Sequence, residues 1–76
     1  MIKELDTVVL TRDIPDLGLQ AGDVGAVVLV HREGTACEVE FVTLSGETVG
    51  VVTLPIDAIR LTAHDEIPHV RRVAQG

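Results

Sequence analysis

Three kinds of side chain in this sequence have the chemistry for catalysis or ligation: paired carboxylates, histidines and one thiol. Glu38 and Glu40 stand two residues apart in Ala36-Cys37-Glu38-Val39-Glu40-Phe41. On a strand that spacing puts both on one face, about 6–7 Å from each other. Carboxylates at such a separation do acid–base work when a pocket desolvates them. Nothing in the flanking residues walls off a pocket, so the pair reads as a solvated strand face. His31 falls at the end of an apolar run, and His64 and His69 lie five apart near the C-terminus. They lack the i, i+4 pairing and the Cys-x-x-Cys partner that mark a zinc site. A loose metal site of His64 and His69 with Asp65 or Glu66, which would make the protein a small metal-dependent hydrolase, is the weaker alternative to solvated polar residues, and no metal or cofactor is expected.

Cys37 is the single cysteine. As a nucleophile it would need a base and an activating environment. Its parity with Val39 and Phe41 points it inward, as an inert buried thiol. Thr43, Ser45, Thr48 and Thr53 offer hydroxyls without a His–acid relay. Gly22-Asp23-Val24-Gly25 has neither the Lys nor the longer Gly spacing of a phosphate cradle. The expectation is a non-enzymatic protein with no catalytic residues.

The elements around these residues read as strands. Residues 21–41 have the pattern of a hairpin, two apolar-rich runs flanking Arg32-Glu33-Gly34-Thr35. The strands expected in order are Asp6–Thr11, Gly25–His31, Ala36–Val42, Thr48–Leu54 and a short Ile59-Arg60-Leu61. The loop 12–20 carries Ile14, Leu17 and Leu19, too apolar for free solvation, and these should lie over one mouth of the core. Pro55-Ile56-Asp57-Ala58 should form a single helical turn, since Pro suits a helix start. The expected fold is an all-β, five-stranded SH3-like β-barrel over residues 1–61. Residues 62–76 form a C-terminal tail or short docking helix, capped by Asp65, with Ile67, Val70 and Ala74 on one face. The runner-up is an open five-stranded sheet completed by a partner.

Composition narrows the partners. The chain of 76 residues is 46% hydrophobic with Phe41 its one aromatic residue, so the apolar mass is aliphatic and suited to pleated surfaces. No apolar run reaches the ~20 residues of a membrane helix and the start lacks a signal-like pattern, so a cytoplasmic protein with no membrane partner is expected. One cysteine fits a reducing compartment. Net charge is −6, all of it carried by residues 1–61. An acidic body repels phosphate backbones and argues against nucleic acid. The competing nucleic-acid reading would need Arg32, Arg60, Arg71 and Arg72 gathered on one side.

Two strands fail to alternate. Val27 and Leu29 oppose Ala26, Val28 and Val30 in the second strand, and Val52 and Leu54 oppose Val49 and Val51 in the fourth. A barrel this small buries one face only, so the other should be a contact surface. The surface expected is Val27, Leu29, Val52 and Leu54, with Ile67, Val70 and Arg71 of the tail. It would serve a homo-oligomer or a basic protein partner, for instance in an antitoxin or immunity-type role. The alternative is that residues 62–76 fold back over it.

The ordered run Lys3–Thr11, Ile14-Pro15, Gly18-Leu19, Ala21–Gly25, Glu38–Phe41, Gly46-Glu47-Thr48 and Val52-Thr53-Leu54 resembles a family of short bacterial proteins with a domain of unknown function. Glu66-Ile67, His69 and Arg71 are similar to that family's tail. The resemblance implies a small SH3-like barrel with no assigned activity and no established catalytic residues. Gly22–Val28 is also similar, less specifically, to the entry of KOW modules, which bring basic and aromatic residues to RNA. This chain departs from them on both counts.

Overall fold

The computed structural model describes residues 1–73, apart from the side chain of Arg32. Five antiparallel strands build one sheet: β1 (Thr7–Leu10), β2 (Val24–Val30), β3 (Ala36–Val42), β4 (Thr48–Pro55) and β5 (Ile59–Leu61). Their order in the sheet is β4-β3-β2-β1-β5. The fold is all-β, as composition and strand spacing predict. A 3-10 turn over Ile56–Ala58 leads into β5 after Pro55, and another over Pro15–Leu17 interrupts the first long loop. Among the described residues no ladder joins β4 to β5, so the sheet is open at that seam and connected there through the Ile56–Ala58 turn.

The core lies on the concave side. Val8, Leu10, Leu19, Val27, Cys37, Val39, Phe41, Leu54, Ala58 and Ile59 form one buried cluster. Leu19 drops into it from the first loop, Ile14 packs against it, and Leu17 stays more exposed near Gly50. Phe41 reaches the inner face of β2 at Gly25. A Cβ there would stand 2.6 Å from Val39 Cγ1 and 2.9 Å from Phe41 Cε1. The absence of a side chain at Gly25 is what lets the ring and the strand close on each other.

The failed alternation in two strands has a single cause. In β2 the register runs Val27 to Val39 and then Leu29 to Glu38, leaving Val28 as an extra residue. In β4 it runs Phe41 to Gly50 and then Val42 to Thr48, leaving Val49 as the extra residue. Each is a β-bulge, which resets the parity of everything beyond it and bends its strand. In β2, Val27 therefore points in, while Ala26, Val28 and Leu29 are all exposed. In β4, Val49, Val52 and Leu54 turn toward the core and Val51 turns out. The bulges thus decide which aliphatic residues enter the core and which stay on the outer face.

Of the two forms expected for the C-terminal segment, the described residues take the tail and not the helix. Residues 62–73 contain no helix. A turn at His64-Asp65 is closed by the Glu66 N–H donating to the Ala63 carbonyl at 3.2 Å, and Glu66, not Asp65, accepts from the Ala63 N–H at 2.7 Å. Pro68 disfavours helical backbone at Ile67 and removes a donor just where a helix would have to propagate. Ala74, expected on the helical face, lies outside the described residues. No helix among the described residues is long and apolar enough to cross a membrane.

Candidate functional site: the outer face of β2–β3–β4

Two surfaces bring together residues singled out by the sequence. The first is the convex face of β2, β3 and β4. Its registers place Ala26, Glu40 and Val51 in one row, and Leu29, Glu38 and Thr53 in the next. Val28, Leu29 and Val51 within their strands, and Val42 at the end of β3, are between 41% and 53% exposed. Glu38 and Glu40 therefore sit inside an aliphatic frame. The Thr48 hydroxyl donates to Glu40 Oε2 at 2.9 Å. Glu38 Oε2 lies 3.1 Å from His31 Nε2, although the imidazole is not aligned for a hydrogen bond and that nitrogen is buried without one. Among the described residues neither glutamate pairs with a Lys or Arg.

Of the residues expected on this surface, Leu29 is there and Val52 is half-buried on the inner side. Val27 and Leu54 require correction, because both are core residues, 0% and 5% exposed. The Val28 bulge sends Val27 and Leu29 to opposite faces, and Leu54 lies opposite buried Cys37. Val28 and Val51 take their places. A pattern reading without the bulges could not find them, although the repeated failure of alternation was their visible trace.

The second surface is where the tail lands. Arg71 donates from Nε to Asp23 Oδ1 at 2.8 Å, from Nη2 to Asp23 Oδ2, and from Nη2 to the Gly18 carbonyl at 3.0 Å. This is the bidentate geometry that makes Arg–carboxylate pairs strong. Burial alone would push the Asp23 carboxyl up, but hydrogen bonds from Arg71 and the Gln20 N–H, with the Arg71 charge, hold it below its usual value. Earlier in the tail, Glu66 receives two hydrogen bonds from the Arg60 guanidinium, at 2.9 and 2.7 Å. These and the Ala63 N–H lower Glu66 to about 2. Arg60 and Val24 are the two register partners of Val9, and Asp23 adjoins Val24. Residues 66–71 thus bridge from β5 to the head of β2 on the outer side of β1. Val9 is only 7% exposed there, although it is not part of the core cluster. The described part of the tail folds back to the loop of Gly18 and Asp23, and Val28, Leu29, Val42 and Val51 stay exposed. Ile67 and Val70 remain exposed.

The remaining candidates for chemistry stay apart. Burial pushes the Cys37 thiol up, which makes thiolate chemistry harder. His64 and His69 are exposed in the tail. Among the described residues no three His, Cys, Asp or Glu side chains gather as a metal site would require.

No curated protein and no solved structure matches the chain. A family model does: the one described as Domain of unknown function (DUF4926) matches residues 4–61, which hold every strand of the sheet, and the chain belongs to that family.

Proposed function

We propose that the protein is a non-enzymatic interaction module that uses the convex face of β2–β3–β4 to hold a basic protein. The carrying observation is the pair Glu38 and Glu40 set among exposed Val28, Leu29, Val42 and Val51. Aliphatic side chains in mid-strand supply burial on docking, and carboxylates between them select the charge of what docks. The net charge of −6 supports the same sign of partner and would steer its approach. An antitoxin or immunity-type role, masking a cationic surface, is one form this takes. Self-association is the second form, in which two copies cover the aliphatic frame. The acidic pair opposes it, since like charges would be brought face to face.

The nucleic-acid alternative draws less support. Arg60 and Arg71, two of the four arginines it needs, are bonded to Glu66 and Asp23.

The test is affinity capture followed by binding measurement at increasing salt. The partner should be basic, its affinity should fall steeply with salt, and Glu38→Lys with Glu40→Lys should abolish it. Glu47→Lys, in the β3–β4 turn, should not. A partner that binds the double variant equally well would sink the reading.

A further inference from the structure

The geometry points to a second recognition element: the pocket formed by Asp13, Gly18 and Asp23 is an arginine receptor, filled in the isolated chain by Arg71 and open to an arginine from the basic partner once the tail lifts. It rests on the proposed basic partner for the source of that arginine.

The acceptors are held in place without the tail. Gly18 has a left-handed backbone, φ 70°, at the end of the Pro15–Leu17 turn, and its N–H bonds to the Pro15 carbonyl at 3.0 Å. Ile14 and Leu19 close that loop through paired backbone hydrogen bonds of 2.8 and 3.1 Å. Asp23 is fixed by the Gln20 N–H donating to Oδ2 at 2.8 Å, and Asp13 by the Ala21 N–H donating to Oδ1 at 2.8 Å. All of these bonds come from residues 13–23. The site is therefore preorganised for a planar cation, with a carboxylate edge, a main-chain carbonyl and a further carboxylate, beside a cleft of about 330 Å³ lined by Pro15, Leu19 and Gln20. A lysine ammonium standing where Nη2 does could reach Asp23 Oδ2 and the Gly18 carbonyl, but it would lack the second, in-plane donor that Nε gives to Asp23 Oδ1.

The occupant, by contrast, is loosely tethered. Among the described residues no hydrogen bond ties residues 67–70 to the sheet, and no tail residue belongs to the core cluster. Arg71 competes as an intramolecular ligand, whose advantage is effective concentration and not extra contact. An arginine on a partner already docked through β2–β3–β4 would have the same advantage. Exchange would free Ile67 and Val70, already exposed, for that partner.

The test needs no partner. N-acetylarginine amide is titrated into the full chain and followed by amide NMR shifts. In Arg71→Ala, and in Arg71→Gln as a second vacating variant, it should perturb Gly18, Gln20 and Asp23 and bind at least about tenfold tighter than in the parent chain. Adding Asp23→Asn to either variant should remove the binding, and N-acetyllysine amide should bind markedly less well. Equal uptake by parent and vacated chains, shifts elsewhere, or equal binding of the lysine probe would overturn the assignment. So would sedimentation showing that Arg71→Ala converts a dimer to a monomer, since the occupant would then be a second copy. Failure here leaves the Glu38/Glu40 capture result untouched, and the reverse also holds.

Discussion

The sheet and the tail use the same aliphatic residues to opposite ends. Val8, Val27, Val39 and Leu54 of the strands vanish into one core, whereas Ile67 and Val70 of the tail stay 89% and 73% exposed. The sheet is held by burial, which is non-directional and cumulative. The tail is held by two Arg–carboxylate pairs, Arg60–Glu66 and Arg71–Asp23. Arg60–Glu66 is largely exposed, and such pairs are weak and screened, whereas Arg71–Asp23 is part-buried and bidentate. The molecule thus couples a cooperative body to a strap that can move without unfolding it.

The largest expected effect is in the core. Phe41→Ala should cost about 3–5 kcal/mol in urea denaturation, because it removes the one aromatic side chain from the centre of the sheet. A smaller loss would mean that the core collapses around the gap. Gly25→Ala follows at about 1–3 kcal/mol, since its methyl would overlap Val39 and the Glu40 carbonyl as well as Phe41. Truncation after Leu61 should lower the thermal midpoint by less than about 5 °C. A greater drop would show that the strap contributes to the body and would erase the contrast.

Acid should separate the two regions along a different axis. Asp23 and Glu66 are both held below their ordinary values, Glu66 at about 2. A lowered carboxyl contributes stability above its unfolded value, near 4, and loses it as pH falls through the folded value. The Arg60–Glu66 anchor should therefore persist from pH 7 to about 4 and fail only as pH approaches about 2, and the Arg71–Asp23 anchor should fail below the ordinary carboxylate range, with the side-chain Nε resonances of Arg60 and Arg71 as the readouts. Release near pH 5 would mean that the pairs do not persist in solution. The smallest effect is expected for Glu38→Gln with Glu40→Gln, which should change folding stability by no more than about 0.5 kcal/mol per site while weakening partner binding.

Much of the body was readable before folding. Ala36–Val42 alternates cleanly and is β3 to the residue, and Pro55 marks the passage from β4 into its turn. These are local effects of side-chain parity and a missing donor. Cys37, Val39 and Phe41 pointed inward for the same reason, and Glu38 and Glu40 outward. The exposed aliphatic face was only partly readable. Leu29 belongs to it, but Val27 and Leu54 do not: a bulge at Val28 parts Val27 from Leu29, and Leu54 pairs with buried Cys37.

The sequence by itself determined an acidic, aliphatic, five-stranded body with its carboxylate pair on a strand face. Strand parity, turn residues and charge are properties of neighbours along the chain. Only the tertiary structure decided which valines were surplus to the register, since a bulge exists only relative to the strand opposite. It alone decided, too, where the tail went. Arg71 and Asp23 are 48 residues apart, and no local propensity brings such a pair together. Their meeting depends on the order β2-β1-β5, which carries the chain's end back across β1 to the loop where Asp23 waits.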